Sequence, residues 1–78
     1  MQYVYILRCS NGHTYVGCTQ DLRERFDRHS NGHVPATKRL LPVTLLFYCA
    51  FTDKPAAFAF EKYLKSGSGR AFMNKRLL

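Results

Sequence analysis

The segment from Tyr3 to Gly17, YVYILRCSNGHTYVG, decides the fold of this chain. It contains two short apolar runs on either side of Asn11-Gly12. Tyr, Val and Ile favour β-strands, and an Asn-Gly pair favours a tight hairpin because both residues tolerate positive φ. The segment therefore predicts two antiparallel strands, residues 2–9 and 13–18.

The turn determines whether the tyrosines of these strands share one face of the sheet. Side chains alternate along a strand, so a strict two-residue loop would place Tyr5 and Tyr15 on opposite faces. A bulge at Gly12 would change the register and place both on the same face. The sequence leaves both registers open, and tyrosine is so common in strands that each residue alone is better explained as part of the core.

The next part of the chain predicts one helix, one loop and a third strand. Thr19 or Asp21 can cap a helix that runs to about Ser30, where Asn31-Gly32 ends it. Residues 33–42 are predicted to form a loop. Residues 43–51, VTLLFYCAF, are apolar on both faces, which predicts a central strand.

The remaining residues predict two helices. Thr52 or Asp53 can cap a helix with Pro55 in its first turn that runs to about Ser66. Gly67 and Gly69 are expected to interrupt it, and residues 70–77 are expected to form a short basic helix. The predicted fold is α+β, a three-stranded antiparallel sheet flanked by helices in the order ββαβαα.

Length and charge limit the classes of function. The 78 residues allow one small domain, residues 1–78, with one core. Twelve basic and five acidic residues give a net charge of +7, which favours nucleic acid as the partner. No apolar run approaches the roughly 20 residues that span a bilayer, the N-terminus does not resemble a signal peptide, and no helix has a membrane-binding pattern. We therefore expect no membrane partner.

The three cysteines, Cys9, Cys18 and Cys49, include no C-x-x-C pair. An odd number of cysteines disfavours a disulfide framework and is typical of a reduced, cytoplasmic protein. A zinc site formed by these cysteines with His13, His29 or His33 lacks the usual ligand spacing.

Three polar residues of the two longer helices are candidates for a functional site. Arg25 and His29 are four residues apart and share one helix face. Glu61 lies at the edge of an apolar stripe formed by Ala57, Phe60 and Leu64, where a carboxylate is costly unless it is paired or metal-bound. Pairing with a nearby Arg or Lys, or contact with water, is the simpler explanation of the pattern alone.

The order of these residues resembles the GIY-YIG nuclease superfamily, and most closely its small standalone members. Tyr3-Val4-Tyr5 stands where these proteins have GIY, and Tyr15-Val16-Gly17 stands where they have YIG. Further matches are the helix segment Asp21–Arg25 followed by His29, the pair Phe60-Glu61, the segment Lys65–Arg70, and Asn74. Tyr3 and Val4 replace the Gly and Ile of GIY, and Cys18 stands where many relatives have a basic residue.

The resemblance implies a DNA endonuclease that uses Mg²⁺ or Mn²⁺, with DNA repair as a broad setting. The implied catalytic residues are Tyr5, Tyr15, Arg25, His29, Glu61 and Asn74. Tyr5 would be the general base, Tyr15 would orient water or phosphate, and Arg25 would hold the phosphoryl oxygens. His29 would bind the phosphate or relay the proton of Tyr5, Glu61 would hold the metal, and Asn74 would brace the site. Positive charge from the metal and Arg25 is expected to favour the phenolate of Tyr5.

Five further basic residues are expected to contact the nucleic-acid backbone: Lys38, Arg39, Arg70, Lys75 and Arg76. Such contacts give salt-sensitive binding with little sequence information. Binding is therefore expected to be structure-selective, with a protein partner as a further source of specificity. A nucleic-acid-binding module with little or no cleavage, and a protein-interaction fold, remain alternatives. A core this small permits a monomer or a homodimer, and the third strand is the first candidate for a dimer contact.

Overall fold

The computed structural model describes all residues, 1–78, and has one three-stranded antiparallel sheet in the order β2-β1-β3. The strands are β1 (Gln2–Arg8), β2 (Thr14–Thr19) and β3 (Thr44–Phe51). The helices are α1 (Leu22–Ser30), α2 (Lys54–Leu64) and α3 (Gly67–Phe72), and a π-helical segment, Met73–Leu77, follows α3 directly. The predicted α+β fold is confirmed, and the predicted final helix over residues 70–77 corresponds to the end of α3 and the π-helical segment.

The β1–β2 hairpin has the bulged register. The Cys9 N–H donates to the His13 carbonyl at 2.8 Å, the Gly12 N–H donates to the Cys9 carbonyl at 2.9 Å, and Gly12 has φ +86°. This is a three-residue loop with glycine in the left-handed region. Tyr5 is paired with Gly17 and Leu7 with Tyr15, so both tyrosines lie on the same face of the sheet.

The prediction that the third strand is central is wrong, because β1 is the central strand and β3 is an edge strand. Its apolar pattern has a different cause. Phe47, Cys49 and Phe51 pack against the core on one face, while Tyr48 on the other face is 55% exposed. One face of β3 packs on the core and the other leaves Tyr48 exposed, so apolar residues on both faces do not fix the place of a strand in the sheet.

Side-chain caps set the starts of all three helices. The Asp21 side chain accepts from the Glu24 N–H at α1, and the Asp53 side chain accepts from the Ala56 N–H at α2. The Ser66 hydroxyl accepts from the Gly69 N–H at α3. Gly69 thus belongs to the first turn of a helix that begins earlier than predicted.

The role expected for the two glycines of this region is also wrong. Gly67 and Gly69 lie inside α3, and the break between α2 and α3 is at residues 65–66. Gly69 is buried, and a Cβ there would collide with the carbonyl oxygen of Tyr63. Glycine at this position lets α3 approach the end of α2 closely.

The hydrophobic core lies between the sheet on one side and α2 and the π-helical segment on the other. It consists of Val4, Ile6, Val16, Ala57, Leu64 and Met73. Tyr5 and Leu7 of β1 point to the opposite face, where α1 lies. All three cysteines are free. None of the helices has the length and apolar character needed to cross a membrane.

Candidate active site

A buried hydrogen bond joins the first strand to the first helix. The Tyr5 hydroxyl lies 2.8 Å from Nε2 of His29, although the two residues are 24 positions apart. Tyr5 is 1% exposed and His29 is 0% exposed. The contact fits the predicted role of His29 in relaying the proton of Tyr5, and the other predicted role, binding of the phosphate, stays a prediction.

Thr37 holds the other nitrogen of the same imidazole. Its Oγ1 lies 2.7 Å from Nδ1 of His29, and the threonine is fully buried. Backbone hydrogen bonds from the Thr37 N–H to Val34 and from the Leu40 N–H to Thr37 fold the surrounding loop into turns. Sequence analysis missed Thr37, because a single threonine in a loop gives no signal of a partner eight residues earlier.

Tyr15 completes an aromatic cluster around His29. Its ring centroid lies 5.1 Å from that of His29 and 6.3 Å from that of Tyr5. Gly17 makes room for the cluster, because a Cβ at that position would collide with the ring and hydroxyl of Tyr5. The structure thus brings together the two tyrosines and the histidine that the sequence identified.

Burial controls the protonation of the cluster. It raises the pKa of Tyr5 to about 12; the nearby Arg25 guanidinium opposes this shift, and the proximity of Tyr15 and Glu61 adds to it. Burial also lowers the pKa of His29, and the positive charges of Arg25 and Arg28 lower it further. At neutral pH Tyr5 is therefore a neutral phenol and His29 a neutral imidazole. Arg25 alone does not provide enough positive charge to favour the predicted phenolate.

Glu61 lies on the face of α2 that packs on the sheet. It falls between Ala57 and Leu64, both fully buried, and its own side chain is 23% exposed. Oε2 accepts a hydrogen bond from Nζ of Lys65 at 3.2 Å, so the pairing with a basic residue that the pattern allowed is present. Its negative charge makes only a minor contribution to the raised pKa of Tyr5.

The donor set around Glu61 allows only one kind of metal site. No three His, Cys, Asp or Glu side chains come together anywhere in the chain. Mg²⁺ needs no such cluster, because it is usually bound by one or two carboxylates together with substrate phosphates and several waters. A single carboxylate therefore fits a hard divalent ion whose remaining ligands come from substrate and solvent.

A groove of about 580 Å³ opens beside Tyr15, between the hairpin and α3. Two predicted site residues, Asn74 and Arg70, line this groove. It is also lined by three residues that sequence analysis did not assign to the site: Arg8, His13 and Lys65. The Asn74 side chain makes no hydrogen bond within the protein, so the predicted bracing role is not observed.

The other predicted backbone contacts lie outside this groove. Lys38 and Arg39 follow Thr37 directly and are exposed. Lys75 and Arg76 are exposed on the π-helical segment. The structure thus places these four cations on the surface, and none of them lines the groove beside Tyr15.

Comparison with protein families and solved structures shows similarity over nearly the whole chain. Residues 1–76 match the family model described as the GIY-YIG catalytic domain. A UPF0213 protein of Streptococcus sanguinis (strain SK36) is 37% identical over 70 residues, which is 88% of this chain and 80% of the relative. A UPF0213 protein of Streptococcus pyogenes serotype M5 (strain Manfredo) has the same identity over 88% of this chain and 76% of its own length.

A solved structure supports the same relationship. The solution NMR structure of a UPF0213 protein from Bacillus halodurans has a TM-score of 0.61 and 32% sequence identity to this chain. The alignment covers 96% of this chain and 84% of that protein. The order of strands and helices around the tyrosines is therefore the order of an experimentally determined fold.

Proposed function

We propose, on the premise that the chain belongs to the GIY-YIG family and to its UPF0213 proteins, that it is an endonuclease hydrolysing phosphodiester bonds of DNA. One observation is the main support for the proposal. The Tyr5 hydroxyl and Nε2 of His29 form a buried hydrogen bond next to Tyr15 and Arg25, the residues to which the family resemblance assigns this chemistry.

Tyr5 acts as the general base by passing its own proton to His29. A phenol with a pKa of about 12 cannot accept a proton at neutral pH unless it gives one up at the same time. The neutral His29 accepts that proton at Nε2 while Nδ1–H donates to Thr37. In the same step Tyr5 takes a proton from the attacking water, whose oxygen bonds to phosphorus. The bond from phosphorus to the leaving ester oxygen breaks, and that oxygen gains a proton from solvent.

Arg25 and Tyr15 face the substrate in this mechanism. Both are half-buried, whereas Tyr5 is almost fully buried. The attacking water therefore reaches the Tyr5 hydroxyl after these neighbours move on substrate binding. The planar guanidinium of Arg25 holds the non-bridging phosphoryl oxygens, and the Tyr15 hydroxyl orients the water or the phosphate.

Glu61 holds Mg²⁺ or Mn²⁺ in the proposed site. A bound divalent ion supplies Lewis-acid stabilisation of the charge on the phosphoryl oxygens. Lys65 pairs with the same carboxylate, so it must move away when Glu61 binds a metal. The Lys65 side chain is 53% exposed and that of Glu61 is 23% exposed, and an i,i+4 pair of this kind on a helix is worth only about 0.3–0.5 kcal/mol, so this exchange costs little.

A cleavage assay tests the proposal directly. Wild type, Tyr5→Phe and Glu61→Gln are incubated with Mg²⁺ or Mn²⁺ and a panel of single-stranded, duplex and branched DNA. We expect cleavage by wild type alone, lost when the metal is chelated. Equal cleavage by all three proteins would indicate a contaminant and contradict the mechanism.

A binding module with little or no cleavage is the second candidate. The burial of Tyr5 and the occupation of Glu61 by Lys65 favour it, because both must change before catalysis. It predicts salt-sensitive binding of DNA by wild type and no cleavage under any metal condition. A cytoplasmic location, a protein partner and a monomeric or dimeric state remain predictions that accompany either function.

A further inference from the structure

We infer that the groove beside Tyr15 binds one unpaired nucleotide of the DNA strand, adjacent to the phosphate that is cleaved, so that the substrates contain single-stranded DNA. The position next to the cleaved phosphate rests on the proposed function. Binding of an unpaired nucleotide rests on the groove itself. Its volume of about 580 Å³ lies within the range of about 300–1,000 Å³ that is usual for pockets binding small molecules.

The rim of the groove is positively charged. Its cations come from three parts of the chain: Arg8 at the end of β1, Lys65 just after α2, and Arg70 in α3. No carboxylate side chain lines the groove. The Arg8 guanidinium donates to the Gly12 carbonyl at 3.1 Å, which holds it at the hairpin turn. A rim of this kind suits the phosphates of a nucleic-acid strand.

The floor of the groove suits a base. Val16, Leu64 and Met73 of the core lie beneath it, and the half-buried ring of Tyr15 forms part of its wall. Val16, Leu64 and Met73 are 6%, 0% and 3% exposed, so the ring of Tyr15 supplies the main surface, and aromatic side chains are what unpaired bases stack on in proteins that bind single strands. Bases of an intact duplex are stacked on one another and cannot use such a floor.

Asn74 adds a group that can recognise the edge of a base. Its amide offers donors and an acceptor, lines the groove, and has no hydrogen-bond partner in the protein. A bare phosphate site would need donors only, whereas a base edge presents both donors and acceptors. The combination of cations, apolar floor and free amide therefore favours a whole nucleotide over a phosphate alone.

The test measures binding without metal, so that cleavage does not enter. Fluorescence anisotropy gives the affinity of wild type for three labelled DNA probes of equal length: a single strand, a blunt duplex, and a strand with abasic residues that retains every phosphate. We expect the single strand to bind about tenfold tighter than the other two, as stacking of a base contributes about 1–3 kcal/mol. Equal affinity for the single strand and the duplex, or for the abasic strand, would overturn the inference.

Matched variants locate the binding. Arg8→Gln and Arg70→Gln each remove one exposed cation of the rim, and we expect each to weaken single-strand binding by about tenfold. Arg23→Gln is the control, because Arg23 is an exposed arginine that lines a different surface depression with Tyr3 and Tyr48. An equal loss in all three variants would show only non-specific attraction and would overturn the assignment. Circular dichroism checks that each variant is folded.

The two proposals fail in different ways. Preference for the single strand without cleavage would leave the groove assignment standing and contradict the nuclease proposal. Metal-dependent cleavage without a preference for the single strand would support the nuclease proposal and contradict the groove assignment.

Discussion

The ring of Tyr5 lies directly over Gly17, its partner on the neighbouring strand, so closely that a Cβ at position 17 would collide with the ring and the hydroxyl. The tyrosine cannot yield easily, because it is buried and hydrogen-bonded to His29. The glycine of the second signature triplet therefore determines where the first tyrosine places its hydroxyl.

Gly17→Ala tests this relationship. We expect a loss of about 1–3 kcal/mol in the free energy of unfolding, the usual cost of forcing an extra methyl group into a packed site. Gly67→Ala is the control, since nothing lies near its added methyl group. Urea unfolding of both variants provides the measurement, and a Gly17→Ala protein as stable as wild type would show that Tyr5 can move.

The hydrogen bond between Thr37 and His29 predicts a second stability effect. Thr37→Val keeps the shape of the side chain but leaves Nδ1 of a buried imidazole without a partner, which costs about 1–3 kcal/mol. Thr52→Val, at an exposed position, should change stability by no more than about 0.5 kcal/mol. Equal unfolding midpoints for the two variants would argue against the buried bond.

The lowered pKa of His29 predicts how stability depends on pH. The unfolded chain binds a proton at this residue near pH 6.5, whereas the folded protein binds it only at lower pH. The contribution to stability is complete above pH 6.5 and is lost as the pH falls from there to the lower pKa of the folded state. Urea unfolding between about pH 7.5 and about pH 5 should show this loss, because this range brackets the ordinary histidine pKa of about 6.5.

A histidine variant separates this effect from other titrations. His29→Gln should reduce the dependence of unfolding free energy on pH in this range, whereas His33→Gln, at an exposed position, should leave it unchanged. An unaltered pH dependence in His29→Gln would mean that other groups cause it.

Local features of the sequence were sufficient to predict most of the fold. Asn11-Gly12 specifies a hairpin through backbone conformation, and Asp21 and Asp53 specify helix starts through side-chain caps. Each of these signals acts within a few residues. The register of the hairpin was left open, because it depends on a bulge that the same residues can form or omit.

Contacts between distant residues could not be predicted in the same way. Thr37 has no special neighbours in sequence and becomes important only because α1 brings His29 to it. Arg8 and Lys65 meet at one groove because the hairpin and the end of α2 lie side by side. The edge position of β3 was missed because the apolar pattern of a strand reports its faces and not its hydrogen-bonded neighbours.

The burial of Tyr5 and the partial exposure of Tyr15 predict unequal effects of removing their hydroxyls. Tyr5→Phe removes the group that exchanges a proton with His29 and should lower the single-turnover cleavage rate by about 10²–10⁴-fold, the range of general-base catalysis. Tyr15→Phe removes an orienting contact and should lower it by about tenfold. Single-turnover rates measured with saturating enzyme compare the two variants. A larger loss of rate in Tyr15→Phe would reassign the base to Tyr15.

The ion pair between Lys65 and Glu61 predicts opposite changes in the affinities for two ligands. Lys65→Met removes a competitor of the metal, so we expect Mn²⁺ to bind about twofold tighter in the absence of DNA, as an exposed pair contributes about 0.3–0.5 kcal/mol. The same variant loses a cation of the groove and should bind a single strand more weakly. Lys62→Met is the control, because Lys62 is exposed on the same helix and makes no ion pair.

Mn²⁺ titration followed by electron paramagnetic resonance measures the first effect, and fluorescence anisotropy measures the second. A purely structural role for Lys65 would move both affinities in the same direction, since a disordered end of α2 would weaken the metal site and the groove together. Tighter Mn²⁺ binding with weaker strand binding is therefore the result expected if Lys65 leaves Glu61 to bind a phosphate. A parallel fall in both affinities would contradict that exchange.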